Sequence, residues 1–171
     1  MVDQVHTSPL GQPIGAEVAG WEPRPRPPRA VIEGRACRLE PLDPARHGAD
    51  LHAAFAADRD GGMWTYMPYG PFADEAAYLA WARDAAVSED PLFHAIVDRA
   101  TGQAVGVASY LRIDPKNGVI EVGHIAYAPV LQKTVAATEA QYLLMRRAFD
   151  ELGYRRYEWK CNAHNAASMR A

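Results

Sequence analysis

The pattern of hydrophobic positions takes a period of two from Phe93 onward. Three apolar stretches, FHAIVD, QAVGVASYLRI and VIEVGHIAYAP, are separated by polar turns at 99–102 and 114–118. Side chains of a strand alternate between its two faces, and Asp, Asn, Pro and Gly favour tight turns. The region therefore predicts three antiparallel strands in a meander, the last ended by Pro129.

Two helical patterns precede these strands. Asp43 before Pro44 predicts a helix start, because aspartate accepts hydrogen bonds from free amides and proline suits the first helical position. A second helix is predicted from Asp74 and Glu75. The apolar face of the first helix consists of Leu51, Ala54 and Phe55, and that of the second of Tyr78, Trp81, Ala82 and Ala85.

A third helix is predicted over 138–152, ended by Gly153 in a left-handed conformation. Its predicted buried stripe consists of Tyr142, Met145, Phe149 and Leu152. A half-buried strand is expected at 157–161, and Asn165 begins a further helix. This order of elements predicts an α+β (mixed α/β) domain, with a mostly antiparallel sheet flanked by helices.

The first thirty residues differ in composition from the rest. WEPRPRPPRA, at 21–30, holds four prolines and three arginines. Each proline removes a backbone donor and keeps its predecessor extended, so residues 1–30 are predicted to form a polyproline-like or disordered arm before a domain at 31–171. The arm is either a solvated extension or a contact for RNA or an acidic partner.

Composition and charge exclude several classes of protein. The formal charge of -3 argues against a protein that binds nucleic acid with its whole surface. No apolar run approaches the roughly 18 residues of a membrane span, and the first residues do not resemble a signal peptide, so a cytoplasmic protein is expected. Cys37 and Cys161 lack the spacing of a zinc site and are predicted to be reduced packing residues. His47 and His52 share no helical face, so no metal is expected.

The segment EVGHIAYAPVLQKTVAATE, at 121–139, combines a strand, a short loop and a helix start. The first amides of a helix have no internal partners and the helix dipole favours negative charge there, so this arrangement suits a pyrophosphate. The chain has neither a Walker loop nor a GxGxxG motif, which argues against a triphosphatase or a dinucleotide dehydrogenase.

Four motifs in this order resemble the GCN5-related N-acetyltransferase (GNAT) superfamily, over residues 30–171. They are TGQAVGVASY, EVGHIAY, LQKTVAATEA and CNAHNAASMRA. The likeness is greatest to the branch similar to the RimJ/RimL ribosomal-protein acetyltransferases. It implies direct transfer of an acetyl group from acetyl-CoA to a primary amine, on a protein N-terminus or a small molecule. The aromatic part of the loop at 61–72, from Trp64 to Phe72, is then expected to form part of the acceptor wall.

The resemblance also implies the cofactor contacts. The pantetheine arm would pair with Ile125, Ala126 and Tyr127, and the pyrophosphate would lie on Gln132, Lys133, Thr134, Val135, Ala136 and Ala137. The family commonly has glycines in this loop. Since a β-branched residue cannot cheaply take a positive φ, the loop is expected to bind only if Val135 keeps a negative φ and points outward.

Transfer to an amine requires a base, because an aliphatic ammonium is mostly protonated at pH 7. Glu121 matches the strand glutamate of the family and is the preferred candidate, with an ion pair behind the sheet as its alternative role. His124 is the second candidate. The two are three residues apart, so a regular strand places them on opposite faces unless a bulge intervenes.

Asn165 and Ser168 match the family's residues near the cofactor arm and the leaving thiolate. Ser168 is then a thiolate stabiliser or only a hydroxyl at a helix N-terminus. The family continues beyond this point with the rest of a helix and two strands, so the chain is expected to be C-terminally incomplete, with an uncovered strand edge that a homodimer would cover. The alternative function is a non-catalytic acyl-CoA-binding or interaction module.

Overall fold

The computed structural model describes residues 6–170. Its strands are β1 His6–Thr7, β2 Pro13–Ile14, β3 Ile32–Glu33, β4 Cys37–Pro41, β5 Leu92–Asp98, β6 Ala104–Asp114, β7 Val119–Tyr127 and β8 Arg156–Trp159. Its α-helices are α1 Pro44–Phe55, α2 Glu75–Val87, α3 Val135–Arg146 and α4 Ala166–Met169, and a π-helical turn, Arg147–Glu151, follows α3.

Six strands form one sheet in the order β3-β4-β5-β6-β7-β8. All neighbours are antiparallel except β7 and β8, which are parallel. The strands β5, β6 and β7 are the predicted meander, which is confirmed. One core lies between the sheet and α3, and a second between the sheet and the pair α1 and α2. The predicted mixed α+β class is confirmed.

The predicted starts of α1 and α2 are confirmed by hydrogen bonds to their capping residues. Asp43 Oδ1 accepts from the amide of Ala45 at 2.9 Å, and Asp74 Oδ1 from the amide of Ala77 at 2.8 Å. Both caps supply a partner to an amide that the helix cannot bond. Gly153 takes φ 71° after the π-helical turn, as the predicted stop requires.

The third helix differs from its prediction in start and in face. It begins at Val135, and the predicted stripe is largely outside: Tyr142 is 53% exposed, Met145 40% and Phe149 41%. The buried residues of α3 are Ala136, Ala137, Ala140, Leu143 and Leu144. Small alanines let the helix approach the sheet closely, so the largest side chains do not mark its buried face.

The N-terminal segment, predicted as a polyproline-like or disordered arm, makes hydrogen bonds to the domain, although residues 1–5 lie outside the described part. The Trp21 indole donates to the carbonyl of Lys116, and the hydroxyl of Tyr154 to that of Pro25. The Arg29 guanidinium bonds the carbonyls of Ala86 and Ser88 at the end of α2. The side chains of the segment thus donate to carbonyls of the domain, and one carbonyl that the extended, proline-rich backbone leaves free accepts from a domain hydroxyl.

Two smaller predictions have mixed outcomes. Cys37 is buried and free, as expected, and burial together with the neighbouring Glu139 raises the pKa of its thiol to about 12. Cys161, in contrast, is exposed beyond the end of β8, because that strand stops at Trp159. None of the helices in residues 6–170 has the length and apolarity that crossing a membrane demands.

Candidate active site

The candidate site begins where the last two strands of the sheet separate. β7 and β8 pair only as far as Val122 and Trp159. β7 continues beyond this point, paired with β6 on its other side. Within residues 6–170, no strand lies beside Ile125, Ala126 and Tyr127 on the side of β8. This open edge offers backbone groups to an extended ligand.

The N-terminus of α3 follows β7 after a short loop. Thr134 is the N-cap residue, and its Oγ1 accepts from the amide of Ala137 at 3.1 Å. The amides of Lys133, Val135 and Ala136 donate no hydrogen bond to any described residue. These three free amides stand at the positive end of a helix dipole, which suits an anion.

The loop before α3 has the backbone conformation that anion binding requires of a loop without glycines. Val135 is 73% exposed and is not among the residues with positive φ, whereas Lys133 takes φ 60°. The β-branched side chain therefore points outward without left-handed strain. Gln132 Nε2 donates to the carbonyl of Tyr127 at 2.9 Å, which ties the loop to the end of β7.

Glu121 lies on the paired part of β7 and faces away from α3, since its neighbours Ile120 and Val122 pack in the core beside α3. Its side chain is only 6% exposed. Oε2 accepts from Arg112 at 2.8 Å and from Lys160 at 2.6 Å, while Oε1 makes no hydrogen bond to a described residue. The preferred base is thus an ion-paired carboxylate.

His124 lies on a bulge of β7. Between Gly123 and Ala126, β7 contains one residue more than the segment of β6 that pairs with it. His124, which lies in this bulge, takes φ 49°. The bulge turns the imidazole to the same face as Glu121, against Tyr69 and Phe93. The sequence allows for a bulge between Glu121 and His124. The bulge is present, and the two side chains lie on the same face of the sheet.

The aromatic loop covers the face onto which His124 points. Trp64 is buried against Phe55 of α1, with ring centroids 5.2 Å apart, and Tyr69 packs on Trp81 of α2 at 4.5 Å. The Tyr69 hydroxyl lies 3.2 Å from Nδ1 of His124. Sequence reasoning singled out the loop but not Tyr69, because its partner is 55 residues away.

Asn165 and Ser168 lie in the short turn of α4. The Asn165 side chain accepts from the amide of Ser168 at 3.0 Å and caps the turn. The turn is held against the aromatic loop, since the Tyr66 hydroxyl donates to the carbonyl of His164. No hydrogen bond between the described residues joins Asn165 or Ser168 to the loop before α3, so their cofactor roles remain predictions.

Two neighbouring groups have structural partners. The Glu139 carboxylate accepts from the amides of Arg35, Ala36 and Cys37 at 2.9, 2.6 and 2.9 Å, which joins α3 to the turn before β4. The buried His47 bonds Glu40 at 3.1 Å. A search of the described residues for clusters of His, Cys, Asp and Glu suited to a metal finds none.

Comparison with known proteins gives a family match and close structural likenesses. The acetyltransferase (GNAT) domain family matches residues 37–171. A GCN5-related N-acetyltransferase from Brucella melitensis is 45% identical with a TM-score of 0.87, over 90% of this chain and 69% of its own. A probable acetyltransferase of the GNAT family from Chromobacterium violaceum is 41% identical with a TM-score of 0.83, over 95% and 81%.

A more distant structure shares the fold. The microcin C7 self-immunity acetyltransferase MccE, in complex with acetyl-CoA and AMP, is 17% identical with a TM-score of 0.69, over 80% of this chain and 76% of its own. A search of curated proteins gave no match.

Proposed function

This chain belongs to the acetyltransferase (GNAT) family, whose members generally use acetyl-CoA, and we propose that it transfers the acetyl group directly to a primary amine. The observation that carries the proposal is the open edge of β7 next to the free amides of α3. A backbone edge and an anion-binding helix end, in sequence along one chain, match a ligand with an amide-rich arm and a pyrophosphate.

The residues present fit acetyl-CoA in this arrangement. The pantetheine arm would lie along Ile125, Ala126 and Tyr127, as a substitute for the strand that is missing beside them. The pyrophosphate would accept from the amides of Lys133, Val135 and Ala136, with the Lys133 side chain adding positive charge. A backbone amide of the same edge would polarise the thioester carbonyl. MccE, which shares this fold, was crystallised with acetyl-CoA.

The acceptor side is proposed to be the face that carries Glu121, His124 and the aromatic loop. Ser168, on the short turn beside that loop, is proposed to stabilise the leaving thiolate. The acceptor class, a protein N-terminus or a small-molecule amine, is a proposal that rests on the RimJ/RimL-like motifs. We also propose a cytoplasmic location and a homodimer that covers the exposed strand edge.

The matched substitutions Val135→Asp and Val18→Asp test the cofactor site by calorimetry with acetyl-CoA. Both valines are exposed, at 73% and 52%, so each change adds one negative charge without opening a core. The helix dipole stabilises an aspartate at the first position of a helix, so the Val135→Asp variant should still fold. At an effective dielectric of about 20, one charge about 10 Å from another contributes about 1.7 kcal/mol, so Val135→Asp should weaken binding about tenfold or more.

Val18→Asp should bind like the parent. If the parent does not bind acetyl-CoA, or if Val135→Asp binds as tightly as the parent, the proposed site is wrong. Binding without transfer to any member of a panel of primary amines would favour the alternative function, a non-catalytic acyl-CoA-binding module.

A further inference from the structure

One residue of β7 adopts a backbone conformation that its side chain disfavours. His124 takes φ 49°, in the left-handed region, where a residue other than glycine is uncommon and costs about 1 kcal/mol or more. The neighbouring Gly123, which tolerates that conformation, does not adopt it. Such strain persists only when surrounding contacts determine it, and it concentrates at functional sites.

The contacts that hold the ring come from two other elements. The His124 ring is stacked on Tyr69 of the aromatic loop, with centroids 5.6 Å apart and planes 6° apart. Phe93 of β5 contacts it from another side at 5.1 Å. The ring is half-buried, so part of the residue remains accessible.

The Tyr69 hydroxyl is the hydrogen-bond partner of one nitrogen of this imidazole. It lies 3.2 Å from Nδ1. If Nδ1 carries the proton and donates it to the tyrosine oxygen, then Nε2 keeps its lone pair and can accept a proton. A tyrosine paired with Nδ1 in this way acts as a positioning residue, since it fixes both the ring plane and the tautomer.

Glu121 is less suited to accept a proton. Its Oε2 already accepts from Arg112 and Lys160, and only 6% of its side chain is exposed. A carboxylate that takes up a proton there would weaken its ion pairs with two cationic partners, and the carboxylate itself is buried. Its position on the same face, beside His124, instead allows it to stabilise positive charge on the ring.

We infer that Nε2 of His124, oriented by Tyr69, is the base that accepts the proton of the acceptor ammonium. This inference rests on the proposed function. In the step, the ammonium gives one proton to Nε2, and the neutral amine then attacks the thioester carbonyl. The tetrahedral adduct loses the C–S bond to release the CoA thiolate, and the amide nitrogen loses its second proton, which balances protonation of the thiolate.

The environment keeps the ring neutral at pH 7. Burial lowers the pKa of His124, and the nearby Glu121 opposes this shift. Of the groups that face the ring, Tyr69 has a pKa raised by burial and stays neutral, and Phe93 is uncharged. A base must be deprotonated to act, so the acidic limb of kcat/KM is expected below pH 6.5, the ordinary pKa of histidine.

The test uses His124→Asn, because asparagine tolerates the left-handed conformation but cannot accept the proton. His124→Asn should lower transfer to an alkyl amine about a hundredfold or more and shift the rise of kcat/KM toward the pKa of the amine itself. With an acceptor of low pKa, which is already neutral at pH 7, most of the loss should disappear. Imidazole in solution should partly restore the rate of His124→Gly.

Three further variants complete the design. Glu121→Gln should keep the acidic limb, and His52→Asn, on α1, should keep the parental profile. Tyr69→Phe should lower kcat more than it changes KM, and its effect should vanish in the His124→Asn background, because it acts through the ring. Nitrogen NMR of the parent should show the proton on Nδ1.

The outcomes separate the two proposals. A parent that binds no acetyl-CoA and transfers no acetyl group refutes the proposed function, and NMR then decides the tautomer alone. An active parent whose acidic limb and rate survive in His124→Asn, or a proton found on Nε2, overturns the role of His124. Loss of the acidic limb in Glu121→Gln assigns the base to Glu121 instead.

Discussion

Removing the Glu139 carboxylate should destabilise the fold more than any other loss of a single charge on α3. Its side chain is 13% exposed, and three backbone amides of the turn before β4 donate to it. Hydrogen bonds to a charged group are each worth about 1.5–3 kcal/mol. Water can reach the exposed Arg35, but the amides of Ala36 and Cys37 would be left without a partner in the core.

We therefore expect Glu139→Ala to lower the free energy of unfolding by about 3–5 kcal/mol. Glu139→Gln, which keeps one acceptor oxygen, should lose about half as much. Urea unfolding followed by circular dichroism measures this as a lower midpoint with an unchanged slope. At about 2–4 °C per kcal/mol for a chain of this size, Glu139→Ala should melt about 6–20 °C lower.

The hydrogen bonds from the three amides to Glu139 also predict how stability depends on pH. Burial tends to raise the pKa of Glu139, but the three amides outweigh it and hold the pKa below its ordinary value. The stabilisation is therefore complete above the unfolded carboxyl's pKa of about 4.3 and disappears as the pH falls through the lower folded value. The difference between parent and Glu139→Gln should be constant above about pH 5.5 and shrink below it.

Glu75→Gln is the matched control. Glu75 is an exposed glutamate in the first turn of α2, where only the helix dipole acts on it, so its loss should cost about 0.3–1 kcal/mol. If Glu139→Ala lowers the free energy of unfolding no more than Glu75→Gln does, the three amides do not depend on this carboxylate.

Two further predictions concern the cysteines and the N-terminal segment. Cys161 should react with iodoacetamide in the native protein, whereas Cys37, buried and with its pKa raised to about 12, should react only after unfolding; equal native rates would contradict this. Arg147, 8% exposed, donates to the carbonyls of Ala30 and Val31, so Arg147→Met should cost about 2–4 kcal/mol and speed proteolysis near residue 30. Arg146→Met, at a more exposed position, is its control, and similar losses in both variants would refute the prediction.

The elements that the sequence predicts well are those determined by neighbouring residues. Asp43 and Asp74 cap helices through amides two or three positions away, and the turn at 114–118 joins β6 to β7. The face of α3 failed for the opposite reason. Alanines carry little hydrophobic signal, and only the sheet shows that Ala136 and Ala140 face inward.

In the candidate site too, some features are determined by neighbouring residues and others by distant contacts. The loop before α3 is contiguous, so the condition on Val135 can be stated from a few residues, although the pattern predicts a helix start at 138 and the helix begins at Val135. The bulge at His124 depends on the register between β6 and β7, and its contact with Tyr69 depends on how a distant loop folds back. The hydrophobic pattern of neither segment predicts the contact between His124 and Tyr69. For this reason strand alternation alone could not settle on which face His124 lies.

The N-terminal segment imposes an order of events on folding. Its contacts join residues far apart along the chain: Trp21 and Lys116 are 95 positions apart, and Pro25 and Tyr154 are 129 apart. A ribosome makes the segment before it makes the residues that receive the segment. Because such distant contacts form late, the segment is expected to dock after the sheet and α3 have assembled. Changes that weaken its contacts should therefore accelerate unfolding while leaving the folding rate nearly unchanged.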